Sequence, residues 1–414
     1  MKFIIKKIYR ALPIFCKVIL LHVYENFFRM GCFRIEKKES LKTSLYKKSY
    51  SDRKRILFYC ITGLAYGGTE KDLQIIANDL VSLYDVYYMY SNKGVKDSRE
   101  AFMDKRIHLI PFSYESIEGK YPSYIHEMRP HIKEVIKNES IDMIIVAEAG
   151  HTIYPIITIT DIPIIMINVF GSPTVQKNIV HIVYMSDAVK KFAQFYTGNA
   201  IKSSVLNIPT TEVIPRDKTR NYRKELGIGE DAFVFGRIGR NSDNIFDPIG
   251  INAFKIVLKE FPDAHFIIVS PPPILEKIVY DESIPNVHFI PPITREVDVW
   301  AFHYAIDTLA HFRHDGETSG LNIAESMKVG NPIISHVSRI WNAHIEYLKP
   351  TFSRVANIDN VEEYASHMKE FINIRNNHED LWLEMRKISQ ETGIRLFTKK
   401  TYMQSFRKII SCYI

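Results

Sequence analysis

The sequence predicts an α/β fold made of two doubly wound domains, each a parallel sheet covered by helices on both faces. Its 414 residues exceed the usual length of one domain, and 46% of them are hydrophobic. Short apolar blocks, which are typical of buried parallel strands, alternate with helical stretches. The alternation stops near Asn207 and then resumes, which predicts a linker between two similar domains.

The first half begins with the apolar block ILFYCI (56–61), the glycine loop TGLAYGGTEK, and apolar residues at helical spacing up to Tyr84. We predict further strands at 86–90, 107–112, 143–147, 163–170 and 182–186, with a helix at 124–138. After the linker, strands are predicted at 233–238, 265–270, 287–290, 305–310 and 332–336. Ligands of such proteins bind at the carboxyl ends of the strands, and we expect a cleft there between the two domains.

These patterns divide the chain into four segments. We expect a basic leader at 1–50, an N-terminal Rossmann-like domain at 51–212, and a C-terminal one at 213–395. The remaining segment, 396–414, is predicted to be a helix that crosses back to the N-terminal domain.

The net charge of +7 is unevenly distributed along the chain. Residues 1–55 hold 15 Lys and Arg against four Asp and Glu, whereas the rest of the chain holds 39 against 43. A slightly acidic body argues against a nucleic-acid partner, because such proteins carry basic stripes on their folded surface. The four cysteines show no CxxC spacing, so we expect neither a zinc site nor a disulfide framework.

The leader combines its lysines and arginines with Phe, Ile, Leu and Tyr. Pro13 and Lys17 interrupt its best apolar stretch, so it does not predict a spanning helix, and no typical signal-peptide cleavage site follows. We expect an amphipathic helix pair on an anionic membrane surface, with the protein peripheral at the cytoplasmic face of the membrane. The alternative is a leader that packs on the body and exposes its lysines.

The segment HFRHDGETSGLNIAESMKVGNPIIS (311–335) is the most informative. It predicts a tight loop at 315–320 and a helix at 319–329, with Gly330 as its C-terminal cap. The amides at the helix start, from Thr318 to Leu321, are expected to bind a diphosphate. Glu317 would lie at the mouth of this site, and Glu325 roughly 9 Å farther along the helix, which leaves room for a sugar and a ribose.

The Glu-x7-Glu spacing of this segment resembles the signature of retaining GT-B glycosyltransferases of the family 4 type. The glycine loop in ILFYCITGLAYGGTEKDLQIIANDL is similar to the N-terminal Gly-Gly loop of that family. FGRIGR (235–240) is similar to its Gly-Arg turn. The resemblance implies two Rossmann-like domains that face each other across a cleft, with 51–212 on the acceptor side and 213–395 on the nucleotide-sugar donor side. It also implies transfer of a hexose from a UDP- or GDP-sugar to a glycan or lipid-linked acceptor, with retention of configuration.

The resemblance also implies roles for individual residues. Glu317 would lie beside the donor sugar, Glu325 would bind the ribose, and Arg237 would pair with the diphosphate. Gly67 and Gly68 would let the backbone approach the phosphates or the acceptor closely. The backbone amides that would donate to the diphosphate are those of Ser319, Gly320 and Leu321. In the N-terminal half, His151 is a candidate donor contact, with Glu148 as its competitor.

Two departures from the family pattern bear on this site. The stretch 241–246 lacks the usual phosphate-binding lysine, which leaves Arg240 as the nearby cation, and Ser319 stands where an aromatic residue is common. The sequence contains no Asp-x-Asp motif, so we expect no metal and no other cofactor. The alternatives are a catalytically inert GT-B-like scaffold or binding subunit of a polysaccharide assembly complex, and a nucleotide-sugar epimerase or sugar-phosphate enzyme. The basic leader favours a transferase of surface polysaccharide or lipopolysaccharide assembly.

Overall fold

The computed structural model describes residues 52–414 apart from ten short gaps, which are 61–62, 66, 92–98, 113–114, 117–125, 128–130, 149–155, 157–158, 173–175 and 198–200. The chain divides into two compact units. The first contains the described residues up to Met185, Val189–Leu206 and Met403–Ile414. The second contains Ser186–Ala188 and Asn207–Tyr402.

The first unit has a seven-stranded parallel sheet in the order β3-β2-β1-β6-β7-β8-β9. Its strands are β1 (Arg55–Cys60), β2 (Asp85–Ser91), β3 (His108–Phe112), β6 (Met143–Glu148), β7 (Ile164–Asn168), β8 (Ile179–Tyr184) and β9 (Ser203–Val205). A separate antiparallel pair joins β4 (Glu115–Ser116) to β5 (His126–Glu127). The helices here are α1 (Gly68–Leu80), α2 (His131–Asn138) and α3 (Asp187–Thr197), with a 3-10 turn at Arg99–Phe102.

The second unit has a six-stranded parallel sheet in the order β12-β11-β10-β13-β15-β17. Its strands are β10 (Val234–Ile238), β11 (His265–Val269), β12 (Val287–Ile290), β13 (Thr308–Ala310), β15 (Ile333–His336) and β17 (Ser353–Ala356). The short strands β14 (Gly316–Glu317) and β16 (Trp341–Asn342) pair outside this sheet. The helices are α4 (Tyr222–Glu225), α5 (Ile249–Leu258), α6 (Pro273–Asp281), α7 (Glu296–Ala305), α8 (Leu321–Lys328), α9 (Val361–Asn377) and α10 (Glu379–Leu396). Three 3-10 turns lie at Arg216–Lys218, Asp243–Ile245 and Ala343–Glu346.

Both faces of the second sheet are buried, which explains why its strands are continuous apolar runs. Side chains alternate between the faces along each strand. Phe235 packs with Phe254 and Phe266 on one face, whereas Val234 packs with Phe302 on the other. The sequence prediction of two Rossmann-like α/β domains is confirmed.

The last helix, α11 (Lys399–Ile410), ends within the first unit. Arg407 Nε donates to Asp79 Oδ2 of α1 at 2.7 Å, and the Tyr413 hydroxyl donates to the carbonyl of Val180 at 2.9 Å. No helix within the described part of the chain is long and apolar enough to cross a bilayer. The predicted leader, 1–50, lies outside the described residues.

The boundaries between the units differ from the predicted ones. They lie after Leu206 and Tyr402, whereas the sequence predicts them after residues 212 and 395. Thr211 donates to Glu296 at 2.9 Å, so the linker already packs with the second unit. Phe397, beyond the end of α10, stacks edge-on against Tyr347 in a core of that unit.

Three secondary-structure predictions are wrong by three residues or more at one end, and the first is the strand predicted at 182–186, which begins at Ile179 and ends at Tyr184. The helix predicted at 124–138 begins at His131, because His126 and Glu127 instead pair with β4. The strand predicted at 305–310 begins at Thr308, because α7 continues to Ala305. Asp307 then turns the chain, since its carboxylate accepts the Val234 amide at 2.8 Å and pairs with Arg223.

Candidate functional site

The candidate site lies where the strand order of the second sheet reverses, between β10 and β13. Ligands of doubly wound sheets bind outside the carboxyl ends of the strands at such a point. Arg237 is near the carboxyl end of β10, and Glu317 lies seven residues beyond the end of β13. The side-chain amide of Asn322, in the first turn of α8, donates to the carbonyl of Ile238 at 3.0 Å. This bond ties the start of α8 to the end of β10.

Arg237 is a buried cation without a compensating acceptor. The residue is 4% exposed, and Nη1 is fully buried with no hydrogen-bond partner. Its guanidinium lies 5.2 Å from the ring centroid of Phe312. Burial, together with the nearby charge of Arg313, lowers the pKa of Arg237 to about 10, so the group is still charged at neutral pH. A buried charge of this kind is costly unless an anion pairs with it.

Glu317 is held by two basic side chains through one of its carboxylate oxygens. Oε1 lies 3.2 Å from His311 Nε2 and 3.5 Å from Arg313 Nη1. Burial raises the pKa of Glu317, but the hydrogen bond from His311 and the charge of Arg313 outweigh it, and the net shift is downward. Glu317 is therefore a carboxylate over the whole neutral range.

The loop that carries Glu317 is fixed by contacts of both its side chains and its backbone. Arg313 forms two hydrogen bonds with Asp315, from Nε at 2.5 Å and from Nη2 at 2.9 Å. Gly316 adopts a φ of +72°, and a Cβ there would lie 1.8 Å from the carbonyl oxygen of Trp341. Only glycine fits this position, where β14 approaches the backbone of β16.

The start of α8 differs from its predicted position. The helix begins at Leu321, because Gly320 takes a left-handed conformation with φ +86°. The Tyr347 hydroxyl donates to the Ser319 carbonyl at 2.9 Å, which holds this corner in place. The amides that a helix start leaves without an internal acceptor are therefore those of Leu321 and Asn322, rather than those of Thr318 and Ser319.

The other end of α8 matches the prediction. Gly330 has φ +84°, its amide donates to the Met327 carbonyl at 2.8 Å, and the Asn331 amide donates to the Ser326 carbonyl at 3.1 Å. These two bonds form a Schellman cap.

Glu325 has different surroundings from Glu317. It projects from α8 and is 6% exposed, with Oε2 lying 3.6 Å from Nε2 of the fully buried His303 on α7. Lys328, one turn farther along α8, has a pKa lowered by burial and partly restored by the charge of Glu325. Glu325 is thus a buried carboxylate among basic groups.

The remaining predicted site residues are Arg240, Gly67, Gly68 and His151. Arg240 is exposed on the loop after β10. Gly67 and Gly68 belong to the first unit, where Gly67 precedes α1 with an ordinary extended φ of −64°. A Cβ on Gly67 would meet the flexible carboxylate of Glu70, so this glycine is not required by its conformation. His151 lies outside the described residues, and its competitor Glu148 ends β6.

Sequence reasoning missed two residues of the cluster, His311 and Arg313. His311 immediately follows β13 and Arg313 comes two residues later, and this position after a strand end, close to Glu317 in the sequence, was the available signal. Within the described ranges, no group of three or more His, Cys, Asp or Glu is arranged to hold a metal ion.

Comparisons with known proteins identify relatives in fold only. No protein-family model matches the chain, and a search of curated proteins finds no match. A glycosyltransferase from Rickettsia africae is 14% identical with a TM-score of 0.68, over 87% of this chain and 98% of its own. Anabaena Alr3699/HepE, solved in complex with UDP-glucose, is 16% identical with a TM-score of 0.62, over 86% and 99%. WaaG, a glycosyltransferase involved in lipopolysaccharide biosynthesis, is 14% identical with a TM-score of 0.57, over 82% and 95%. The chain therefore has the fold of GT-B glycosyltransferases.

Because Nη1 of Arg237 has no hydrogen-bond acceptor, the contribution of this residue to the free energy of unfolding can be tested by substitution. Arg237→Met removes a buried charge that has no acceptor, so we expect the free energy of unfolding, measured by urea denaturation without nucleotide, to stay constant or rise. Arg223 is the matched control, because its guanidinium pairs with Asp307 at 2.6 Å and donates to the Ala305 carbonyl. Arg223→Met should cost about 3–5 kcal/mol, since it removes the nearer cationic partner of a buried carboxylate whose other cation, Arg375, lies 3.7 Å away. Equal destabilisation by both variants would contradict this description of Arg237.

Proposed function

We propose that this chain is a glycosyltransferase that moves a sugar from a nucleoside-diphosphate sugar to a glycan or lipid-linked acceptor. The observation that carries the proposal is the buried guanidinium of Arg237, which has no acceptor and lies at the switch point of the second sheet. A diphosphate supplies the hydrogen-bond acceptor that this group lacks. Of the solved proteins with this fold, the one from Rickettsia africae is a glycosyltransferase, and HepE was solved in complex with UDP-glucose.

The chemistry follows from where charge develops during the reaction. When the anomeric C–O bond of the donor breaks, negative charge accumulates on the departing diphosphate. A preorganised cation in a site shielded from water stabilises that charge strongly. Arg237 supplies the cation, and the amides of Leu321 and Asn322 at the start of α8 supply further donors.

The two glutamates take different parts in this proposal. Glu317, which is ionised, accepts a hydrogen bond from a hydroxyl of the donor sugar, and Glu325 accepts hydrogen bonds from the ribose. The donor is a UDP- or GDP-sugar, and the complex of HepE with UDP-glucose favours UDP. Transfer of a hexose with retention of configuration, as in family 4, rests on the sequence resemblance.

We propose further that the reaction needs no metal ion. Many glycosyltransferases neutralise the diphosphate with a divalent ion held by an Asp-x-Asp motif, and this sequence has no such motif. Arg237 and the start of α8 take over that role.

The location and pathway of the reaction are proposed from the leader. Its net positive charge suits an anionic membrane surface, which would bring the enzyme to lipid-linked acceptors at the cytoplasmic face. Surface polysaccharide or lipopolysaccharide assembly uses acceptors of this kind, and WaaG, which shares the fold, is involved in the latter.

One observation favours a second candidate, an inert scaffold or binding subunit of a polysaccharide assembly complex. The family's second phosphate-binding cation is missing from 241–246, and Arg240, its nearest substitute, is exposed. A scaffold without a donor site should bind no nucleotide.

Nucleotide binding separates the two candidates. Saturating UDP or GDP should raise the melting temperature of the wild-type chain in EDTA, with about 2.7 kcal/mol of added stability at a hundredfold excess over Kd. Arg237→Met should lose most of this effect, whereas Arg339→Met, which removes an exposed arginine paired with Asp359, should keep it. The same preparations should release UDP or GDP from at least one member of a panel of nucleotide sugars.

Each negative result of this test has a different meaning. No response to any nucleotide would favour the scaffold, and binding without turnover would favour a binding subunit. Stabilisation that requires magnesium would contradict the metal-independent part of the proposal.

The leader proposal predicts salt-sensitive binding to anionic vesicles. Replacement of Lys2, Lys6, Lys7 and Arg10 by Gln in the full chain should weaken binding to phosphatidylglycerol vesicles about a hundredfold or more, since each cation contributes roughly 1 kcal/mol. The control replaces four exposed lysines of the body: Lys105, Lys387, Lys400 and Lys408. The binding of both variants to vesicles is measured by sedimentation. Equal binding by the two would show that the leader does not carry the membrane contact.

A further inference from the structure

The two carboxylate oxygens of Glu317 have unequal surroundings. Both of its polar partners, His311 Nε2 and Arg313 Nη1, contact Oε1. Within the described structure, Oε2 has no hydrogen-bond partner, and it is absent from the fully buried unsatisfied atoms. Oε2 is therefore the oxygen that a ligand can reach.

His311 is oriented so that it donates to this carboxylate. A carboxylate oxygen only accepts, so the hydrogen on Nε2 of His311 points at Oε1 of Glu317. The other ring nitrogen, Nδ1, lies 3.0 Å from the hydroxyl of Ser335 on β15. A hydroxyl either donates or accepts, and Ser335 therefore fixes the ring plane without opposing the bond to Glu317.

The backbone of His311 is anchored on two sides. Its amide donates to the carbonyl of Ile334 at 2.8 Å, and its carbonyl accepts from the Tyr364 hydroxyl at 3.1 Å. The residue is 3% exposed. Arg313 holds Glu317 more weakly than His311 does, because its Nη1 lies 3.5 Å from Oε1. Its Nε and Nη2 already donate to the carboxylate of Asp315.

We propose that His311 is a positioning residue for the transfer: its Nε2–H bond to Oε1, set by Ser335, turns Oε2 of Glu317 toward the donor sugar. This inference rests on the proposed function, because it assigns His311 to the same donor site. His311 is itself too buried to contact the sugar, and it acts through Glu317.

The electrostatics of the cluster agree with this arrangement. The hydrogen bond from His311 lowers the pKa of Glu317, so its removal should raise that pKa. Burial lowers the pKa of His344 to about 3, so this neighbour is neutral at pH 7. Five titratable or charged groups lie around Glu317, namely His311, Arg313, His344, Arg237 and Tyr347.

The test compares three variants of the full-length chain. His311→Ala removes the donor, and His311→Gln replaces it with an amide N–H that can occupy the place of Nε2. His344→Ala is the matched control, because its ring is as deeply buried and lies 5.1 Å from that of His311, but donates to the His336 carbonyl instead of Glu317.

We expect His311→Ala to lower kcat for UDP release from the donor sugar about 10- to 100-fold, the scale on which a misplaced group slows an enzyme. The Kd for UDP should stay within about twofold, because UDP has only its ribose and lacks the transferred sugar that Glu317 is proposed to contact. His311→Gln should recover most of kcat, and His344→Ala should retain it. Equal losses in His311→Ala and His344→Ala would overturn the proposal.

A second measurement does not depend on turnover. In the protein without nucleotide, ¹³C NMR of labelled glutamate carboxyls, with Glu317→Gln as the assignment control, reports the pKa of Glu317 directly. This pKa should rise in His311→Ala and return toward the wild-type value in His311→Gln. An unchanged pKa in His311→Ala would overturn the proposal even if the enzyme is active. If the wild-type chain released no nucleotide from any sugar donor, the proposed function would fail, while this titration would still decide whether His311 holds Glu317.

Discussion

The buried guanidinium of Arg237 is the constraint on which this account depends. Folding places it at the carboxyl end of a central strand and leaves Nη1 without an acceptor, although a buried charge normally finds a partner. The charge of Glu317 offsets part of the cost of that burial, and the diphosphate of the proposed donor would supply the hydrogen-bond acceptor that Nη1 lacks. In the proposed donor site, the start of α8 adds amide donors, and Glu317 adds a carboxylate whose Oε2 has no hydrogen-bond partner in the described structure.

The parts of this arrangement that depend on local sequence could be predicted. Continuous apolar runs identify strands buried on both faces, and the strand at 287–290 was located to the residue. Gly330 was correctly assigned as the cap of α8, because a glycine before Asn-Pro can only end a helix there. Arg237 could be singled out because it lies on a predicted strand in the sequence FGRIGR, which resembles a known turn.

The parts that depend on contacts between distant residues could not be predicted. His311 and Ser335 are 24 residues apart and meet because β13 pairs with β15. The left-handed turn at Gly320 starts the helix two residues later than predicted, and the hydroxyl of Tyr347, which lies far along the chain, bonds to the carbonyl just before this turn. The boundary between the units lies after Leu206, earlier than predicted, and here too a distant contact is involved, since Thr211 donates to Glu296 of α7. Periodicity carries no information on such contacts.

A crystal structure of the chain with UDP bound tests the central claim most directly, because it locates the diphosphate against a single named atom. We expect a diphosphate oxygen within 2.7–3.2 Å of Arg237 Nη1, the ordinary range of such a hydrogen bond, with the amides at the start of α8 facing the same phosphates. A structure in which UDP binds elsewhere, and Arg237 Nη1 remains without an acceptor, would contradict the account.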